Sequence, residues 1–317
     1  MAVCPITLEE TVFSATFSPG GLRLLHPRLK HLAPLDLTHT EQLRQARLRA
    51  DKMSIQGVQP KLSAVVSVTE GRFQIVDTGG RFILKPNPPP YAEVPQNEAL
   101  TMTMAKTAGI DVPPHGLIPA IDGSWVYVVK RFDRSGRAEK IHVEDFAQLS
   151  GATRETKYEG SMERLAKLVE EFCSFPVIEK AKLARRALFC FLTGNEDMHL
   201  KNWSLMMENS RVTLAPAYDL LNTTLVLEKA IEEIALPLNG KKKKLTQSDW
   251  LNYYCKERLQ IPEKIMQGIL AELSAAVPQW RQLISRSFLS PTSKDLYAQL
   301  LDNRLKRLGL NSDYSVE

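Results

Sequence analysis

Short runs that alternate apolar with polar residues, separated by turn signals, fill residues 62–129 of the chain. Their β-branched and aromatic residues predict five strands, at residues 62–68, 72–76, 81–84, 116–121 and 125–129. Between the third and fourth strands, Leu100, Met104 and Ala108 are spaced by four, which predicts a helix over 97–108. The pattern therefore predicts a small β-rich region that contains one helix.

Helical periodicity dominates the remainder. Helices are predicted at residues 142–149, 161–174, 177–193 and from 245 onward, and an irregular start leads into a helix-prone segment at 40–50. A short β-like pair at 203–207 and 211–215 interrupts them. The order predicts an α+β fold with two domains, a β-rich N-terminal lobe over residues 1–130 and a mainly helical lobe over 131–317.

Composition narrows the class of protein. The chain has 317 residues, 44% hydrophobic and 24% charged, which is enough for a substantial core. Its net charge of +5 suits an anionic ligand such as a nucleotide, and without a helix-turn-helix or zinc-finger pattern no direct nucleic-acid binding is expected. Four scattered cysteines argue against disulfides and zinc. With no apolar run of about 20 residues and no signal-peptide pattern, the expected location is the cytoplasm, with no membrane association.

The most informative segment is Gly194–Asn202, which follows the apolar run 187–192. Asp197 and Asn202 are five residues apart, the spacing at which kinases place the carboxylate that orients the acceptor hydroxyl and the amide that holds a metal ion. Asp219 follows the second strand of the β-like pair, where its carboxylate could bind a metal that bridges phosphates. The spacing alone is common, but this combination predicts phosphoryl transfer.

Two upstream features fit the same chemistry. Lys85 ends a predicted strand, and Glu98 near the start of the next helix is its candidate partner, as in kinases where a strand lysine binds phosphates. A solvated strand-end lysine is the alternative. Residues 54–61 precede the first strand and contain one glycine, so Gly57 and the backbone at Val58 are candidate phosphate contacts, with a simple turn as the alternative.

Together these residues resemble the HipA family of bacterial toxin kinases. The matching segments are residues 57–63, 82–86, 97–98, 129–134, 195–202, 217–221 and 236–242. The resemblance implies a bilobal protein-kinase-like fold and ATP with Mg2+ as cofactors. It also implies phosphorylation of a serine on an aminoacyl-tRNA synthetase, which inhibits translation.

The resemblance also implies residue roles. Asp197 is the catalytic base, Asn202 and Asp219 are the metal ligands, and Lys85 binds phosphates together with the loop at Gly57. Asp219 is followed by two leucines instead of Phe-Gly, so the resemblance does not imply a switch by flipping of that segment.

Four further candidates complete the site. The backbone from Lys130 to Phe132 is expected to hold the adenine. His199 and Lys201 on the catalytic loop are included among the cofactor-binding residues, with support of the loop as the favoured role for His199. Ser54 is the expected autophosphorylation site, because family members phosphorylate a serine of the phosphate loop.

Because the chain is shorter than the best-known members, it resembles most closely the HipT branch of the family. For that branch the resemblance implies a small HipS-like antitoxin, a HipB-like DNA-binding partner and tryptophanyl-tRNA synthetase as the target. Two alternatives stay open. One is a small-molecule phosphotransferase of kinase-like fold, and the other is a catalytically silent pseudokinase in a repressor complex.

Overall fold

The computed structural model describes residues 2–11, 16–49, 59–136, 139–227 and 231–310. The chain divides into two compact units. The first comprises Met1–Thr103, Pro113–Lys140 and Ser285–Ser290, and the second comprises Met104–Val112, Ile141–Ile284 and Pro291–Glu317. Among the described residues, no helix combines the length and the apolar character that crossing a bilayer requires.

The first unit is built on a five-stranded antiparallel sheet. Its elements, in chain order, are β1 (Ala2–Val3), β2 (Glu10–Thr11), α1 (Pro19–Leu25), α2 (His39–Arg49), β3 (Leu62–Ser67), β4 (Arg72–Ile75), β5 (Phe82–Pro86), α3 (Val94–Thr107, whose residues from Met104 onward belong to the second unit), β6 (His115–Pro119), β7 (Trp125–Lys130), β8 (Arg134–Ser135) and β9 (Glu139–Lys140). The sheet has the strand order β4-β3-β5-β7-β6. All five predicted strands and the helix are present, with ends that shift by at most a few residues.

One face of this sheet packs on the N-terminal residues. Alternate strand positions, including Leu62, Leu84 and Val128, are buried in one apolar cluster with Ile6 and Leu25. The N-terminal segment therefore forms part of the core, whereas the sequence predicted only an irregular start before α2.

Glycine is required where the N-terminal segment meets the sheet. A Cβ at Gly116 would lie 2.7 Å from the Cα of Ile6. The amide of Leu117 donates to the carbonyl of Pro5 at 3.0 Å, so the two backbones run in direct contact.

The second unit is mainly helical. Its elements are β10 (His142–Asp145), α4 (Phe146–Leu149), α5 (Met162–Phe172), α6 (Pro176–Leu192), a 3-10 turn (Leu200–Asn202), β11 (Ser204–Glu208), β12 (Arg211–Leu214), α7 (Thr223–Val226), a π-helix (Asp249–Arg258), α8 (Glu263–Arg286) and α9 (Pro291–Leu308). The predicted helix over 142–149 is partly wrong, because its first four residues form β10 and pair with β11.

Helix α6 is the centre of this unit and delivers the chain to the candidate site. Its C-terminal half is buried among aromatic side chains: the ring of Phe189 lies 5.6 Å from that of Trp280, and Phe191 lies 5.3 Å from Trp250. The indole of Trp280 donates to the carbonyl of Met104 at 3.0 Å, so its polar atom is satisfied inside the core. The residues after α6 therefore start at a helix end that is fixed by packing in the core.

Candidate active site

Gly194 turns the chain from α6 into the predicted catalytic loop. Its φ of +68° lies in the left-handed region, which glycine adopts without steric cost at a helix C-terminus. A Cβ here would lie 2.3 Å from Cδ2 of Leu300 and 3.0 Å from Oδ1 of Asn222. The loop therefore starts at a position that only glycine fits.

The side chain of Asn195 joins the loop to the segment that carries Asp219. Its Oδ1 accepts from the amide of Asp197 at 3.2 Å, and its Nδ2 donates to the carbonyl of Asp219 at 3.4 Å. Asn195 is only 1% exposed, so water does not compete for these bonds. The structure thus brings together two predicted site residues that are 22 positions apart in the sequence.

Asn202 closes the loop from its other end. Its Nδ2 donates to the carbonyl of Asp197 at 2.8 Å, and the amide of Asn202 itself donates to the carbonyl of His199 at 2.9 Å. Because the amide nitrogen of the side chain is used as a donor, Oδ1 is the atom that remains as a ligand.

The backbone at Asp219 adopts an unusual conformation. Its φ of +54° is left-handed, which is uncommon outside glycine and costs energy. The preceding residues hold it there: Ala217 donates its amide to the carbonyl of Asp111 at 2.7 Å, and the hydroxyl of Tyr218 donates to the carbonyl of Lys201 at 2.9 Å. Strain of this kind concentrates at functional sites.

The donor set of these residues suits magnesium. Mg2+ prefers oxygen ligands, keeps several waters and is commonly held by one or two protein groups together with phosphates. The carboxylate of Asp219 and the amide oxygen of Asn202 are donors of this type. Among the described residues there is no cluster of three or more His, Cys, Asp or Glu side chains for an all-protein metal cage.

His199 is buried within the loop. Its Nε2 lies 2.7 Å from Nζ of Lys157, and its ring meets that of Tyr158 edge-on with centroids 5.1 Å apart. Burial lowers the pKa of His199 and the charge of Lys157 lowers it further, whereas Asp197 opposes the shift. A neutral imidazole packed in this way agrees with the favoured supporting role, which stays a prediction.

One residue at this site escaped the sequence analysis. The hydroxyl of Tyr158 donates to Oδ1 of Asp197 at 2.6 Å. Burial, followed by this bond and the negative charge of Asp197, raises the pKa of Tyr158. Tyr158 lies in the connection between α4 and α5, 39 positions before Asp197, and no local spacing in the sequence signals the contact.

The first unit contains the Lys85 and Glu98 pair. Lys85 on β5 and Glu98 on α3 are bonded through Nζ and Oε1 at 2.7 Å, with side chains 8% and 2% exposed. The ammonium also lies 5.5 Å from the ring centroid of Tyr127 on the neighbouring strand β7. The pairing that the sequence suggested is therefore present and buried, while phosphate binding by Lys85 stays a prediction.

The remaining predicted cofactor contacts are the backbone from Lys130 to Phe132 and the side chain of Lys201. The amides of Lys130 and Arg131 already donate to the carbonyls of Pro114 and Arg81, at 2.8 Å each, so in this arrangement they are not donors for adenine. Phe132 is half-buried. The ammonium of Lys201 is bonded to Oδ2 of Asp145 on β10 at 2.8 Å, and its role as a cofactor contact stays a prediction.

Gly57, Val58 and Ser54 lie outside the described residues. Their expected parts in phosphate binding and autophosphorylation stay predictions.

Comparison with known proteins gives a consistent family. The sequence profile of the HipA-like C-terminal domain matches residues 53–280. A relative in Sinorhizobium fredii, named as an inferred kinase, is 35% identical over 226 residues, which are 66% of this chain and 54% of that protein. A second inferred kinase, in Haemophilus influenzae, is 28% identical over 333 residues, covering 96% of this chain and 95% of the relative. The chain thus spans about half the length of the first relative and nearly all of the second.

Solved structures share the fold. The Shewanella oneidensis toxin–antitoxin complex of HipA, HipB and operator DNA contains a chain that matches with a TM-score of 0.68 and 25% identity, over 84% of this chain and 67% of that one. The proinflammatory kinase CtkA of Helicobacter pylori matches with a TM-score of 0.54 and 16% identity, over 73% and 89%. The predicted α+β, kinase-like fold is therefore confirmed.

Proposed function

This chain belongs to the family of the HipA-like C-terminal domain, and from that premise we propose that it is a serine/threonine protein kinase and the toxin of a bacterial toxin–antitoxin system. The observation that carries the proposal is the arrangement in the second unit, where Asn195 and Asn202 bond the backbone of Asp197 and Asn195 also bonds that of Asp219. Asp197 and Asn202 have the spacing found in kinases, and Asp219 beside them has a strained backbone. This combination fits phosphoryl transfer better than a structural use.

The proposed reaction assigns one task to each side chain. Asp197 orients the serine hydroxyl and accepts its proton while the hydroxyl oxygen bonds to the γ-phosphorus of ATP and the bond to the bridging oxygen breaks, which releases ADP. Asn202 and Asp219 hold Mg2+, which neutralises charge on the phosphates. Lys85, held in place by Glu98, binds phosphates together with Gly57 and Val58.

Catalysis of this type depends mainly on position and charge. The side chain of Asp197 is partly exposed, so an acceptor can reach it, while its backbone is held by two amide side chains. The loop is held by amide side chains, and the carboxylate of Asp197 forms no ion pair with any described residue.

We extend the proposal to partners and targets. The HipA of Shewanella oneidensis was solved with HipB and operator DNA, which supports a HipB-like DNA-binding partner here. Resemblance to the HipT branch supports a HipS-like antitoxin and tryptophanyl-tRNA synthetase as the substrate. Autophosphorylation of Ser54 would add about −1.5 to −2 charges at pH 7, which would repel the phosphates of ATP and silence the enzyme.

The test is phosphate transfer from labelled ATP with magnesium to tryptophanyl-tRNA synthetase, to other synthetases and to small-molecule acceptors. Asp197→Asn is expected to lower the rate by about 10²–10⁴-fold without changing the thermal unfolding midpoint. Mass spectrometry after ATP incubation is expected to find phosphate on the peptide with Ser54. An undiminished rate in the Asp197 variant would contradict the catalytic assignment, and transfer to sugars or antibiotics alone would favour a small-molecule phosphotransferase.

A further inference from the structure

The segment of residues 153–160, here called the tyrosine segment, lies directly on the catalytic loop. The amide of Leu200 donates to the carbonyl of Lys157 at 3.1 Å. A Cβ at Gly160 would lie 3.1 Å from Cδ2 of Leu200, so a larger residue there would crowd that side chain. Backbone and side-chain contacts together fix the segment to the loop.

Tyr158 is held from three directions. Its ring meets the buried ring of His199 edge-on at 5.1 Å, and Nζ of Lys157 lies 4.9 Å from its ring centroid. Its hydroxyl donates to Oδ1 of Asp197 at 2.6 Å, a distance typical of a charge-assisted bond. The ring therefore packs against His199 of the loop, while the hydroxyl bonds Asp197.

Only one oxygen of the Asp197 carboxylate is engaged in this way. Oδ2 has no hydrogen-bond partner among the described residues, and the side chain is partly exposed. A free aspartate rotates about a broad, roughly two-fold torsion at χ2. A donor fixed on Oδ1 restricts that rotation and leaves Oδ2 as the oxygen that can accept from an incoming hydroxyl.

We propose that Tyr158 is a positioning residue for the proposed kinase reaction, which holds the Asp197 carboxylate so that Oδ2 receives the acceptor hydroxyl. This inference rests on the proposed function. It differs from the reading in which the tyrosine hydroxyl occupies the place of the acceptor and blocks it, because a blocking group must leave before each turnover whereas a positioning group stays.

Kinetic measurements distinguish a positioning role of Tyr158 from a blocking role. Tyr158→Phe keeps the ring on His199 and removes only the hydroxyl. We expect kcat to fall about 10–100-fold, the range of one hydrogen bond to a charged group, with KM for ATP and the unfolding midpoint unchanged. A higher rate with a lower KM for the protein acceptor would show a blocking group and overturn the proposal, as would an unchanged kcat.

Tyr253→Phe is the matched control. Tyr253 lies on the π-helix, where the guanidinium of Arg258 is 4.9 Å from its ring centroid, and it has no part in the proposed reaction. The same chemical change is therefore made to another tyrosine in the same unit. Wild-type kcat is expected for this variant, and a loss equal to that of Tyr158→Phe would mean that the effect is not specific to Asp197.

A measurement independent of activity keeps this inference distinct from the proposed function. With 3-fluorotyrosine in all eight positions, the fluorine signal missing in Tyr158→Phe identifies Tyr158. In wild type this signal is expected to titrate at higher pH than exposed tyrosines, and in Asp197→Asn at lower pH, because the negative charge is lost while Lys157 and His199 remain. Identical titration in both proteins would show that the contact is absent and refute the inference, even if phosphotransfer is confirmed. If the contact is confirmed and wild type transfers phosphate to no acceptor, the proposed function fails and positioning for it fails too.

Discussion

The ion pair between Lys85 and Glu98 allows stability and activity to be separated by mutation. The two charges lie 2.7 Å apart with side chains 8% and 2% exposed. Glu98→Gln keeps the shape and removes the negative charge, so the ammonium stays buried without this carboxylate. Loss of one member of a buried pair costs about 3–5 kcal/mol, and the ring of Tyr127, 5.5 Å away, offsets only about 1–2 kcal/mol of that.

The double variant Lys85→Met/Glu98→Leu removes both charges at similar volume. Its free energy of unfolding is expected to lie within about 1 kcal/mol of wild type or above it, because neither charge must then be desolvated. Urea unfolding followed by circular dichroism measures this. Phosphotransfer is nevertheless expected to be lost, because no ammonium remains for the phosphates.

Glu41→Gln is the control for the stability measurement. Glu41 pairs with Arg44 at 2.6 Å on an exposed surface of α2, where an ion pair contributes little, so no measurable change is expected. A double variant as unstable as Glu98→Gln, or less stable, would refute the reasoning about the buried pair. A double variant that still transfers phosphate would refute the role of Lys85.

Three further predictions concern the second unit. Asn195→Ala is expected to lower the phosphotransfer rate about 10–100-fold by displacing the catalytic loop, as measured by initial rates; an unchanged rate would contradict the bridging role. Gly194→Ala forces a left-handed φ of +68° on alanine and a contact with Leu300, so the urea midpoint should correspond to a loss of about 2 kcal/mol, and an unchanged midpoint would be inconsistent with that geometry. Burial alone would raise the pKa of Asp249, but bonds led by that from Lys241 outweigh it and lower the pKa below its ordinary 3.8. Because a lowered pKa contributes stability above the unfolded value that is lost as the pH falls, Asp249→Asn should cost about 2 kcal/mol at pH 7 and nothing once urea unfolding is measured well below pH 3.8.

The sequence predicted those parts of the fold that depend on local pattern. The five strands of the sheet in the first unit and helices α3, α5 and α6 follow from periodicity and turn residues, and the structure has them. The exceptions depend on distant partners. Residues 142–145 read as part of a helix, but they form β10 because β11, some 60 positions later, offers a free edge.

The residues of the candidate site also divide into those that a local pattern signals and those that depend on distant partners. Asp197 and Asn202 could be found because their spacing on one loop is itself the signal. Asn195 stood within that segment, but its bond to the carbonyl of Asp219 depends on how two distant segments fold together. Tyr158 had no signal, because its partner Asp197 lies beyond two intervening helices, α5 and α6.

The way in which the catalytic loop is held explains why it can carry a reactive carboxylate. The ammonium of Lys201, on the loop itself, is engaged in an ion pair with Asp145. The loop itself is fastened by the neutral amides of Asn195 and Asn202. An arginine or lysine in either position would hold the backbone no better and would compete for the carboxylate of Asp197. A neutral donor such as the hydroxyl of Tyr158 fixes the geometry of that carboxylate and leaves its charge for the acceptor proton, which ties the positioning role of Tyr158 to the chemistry of the proposed reaction.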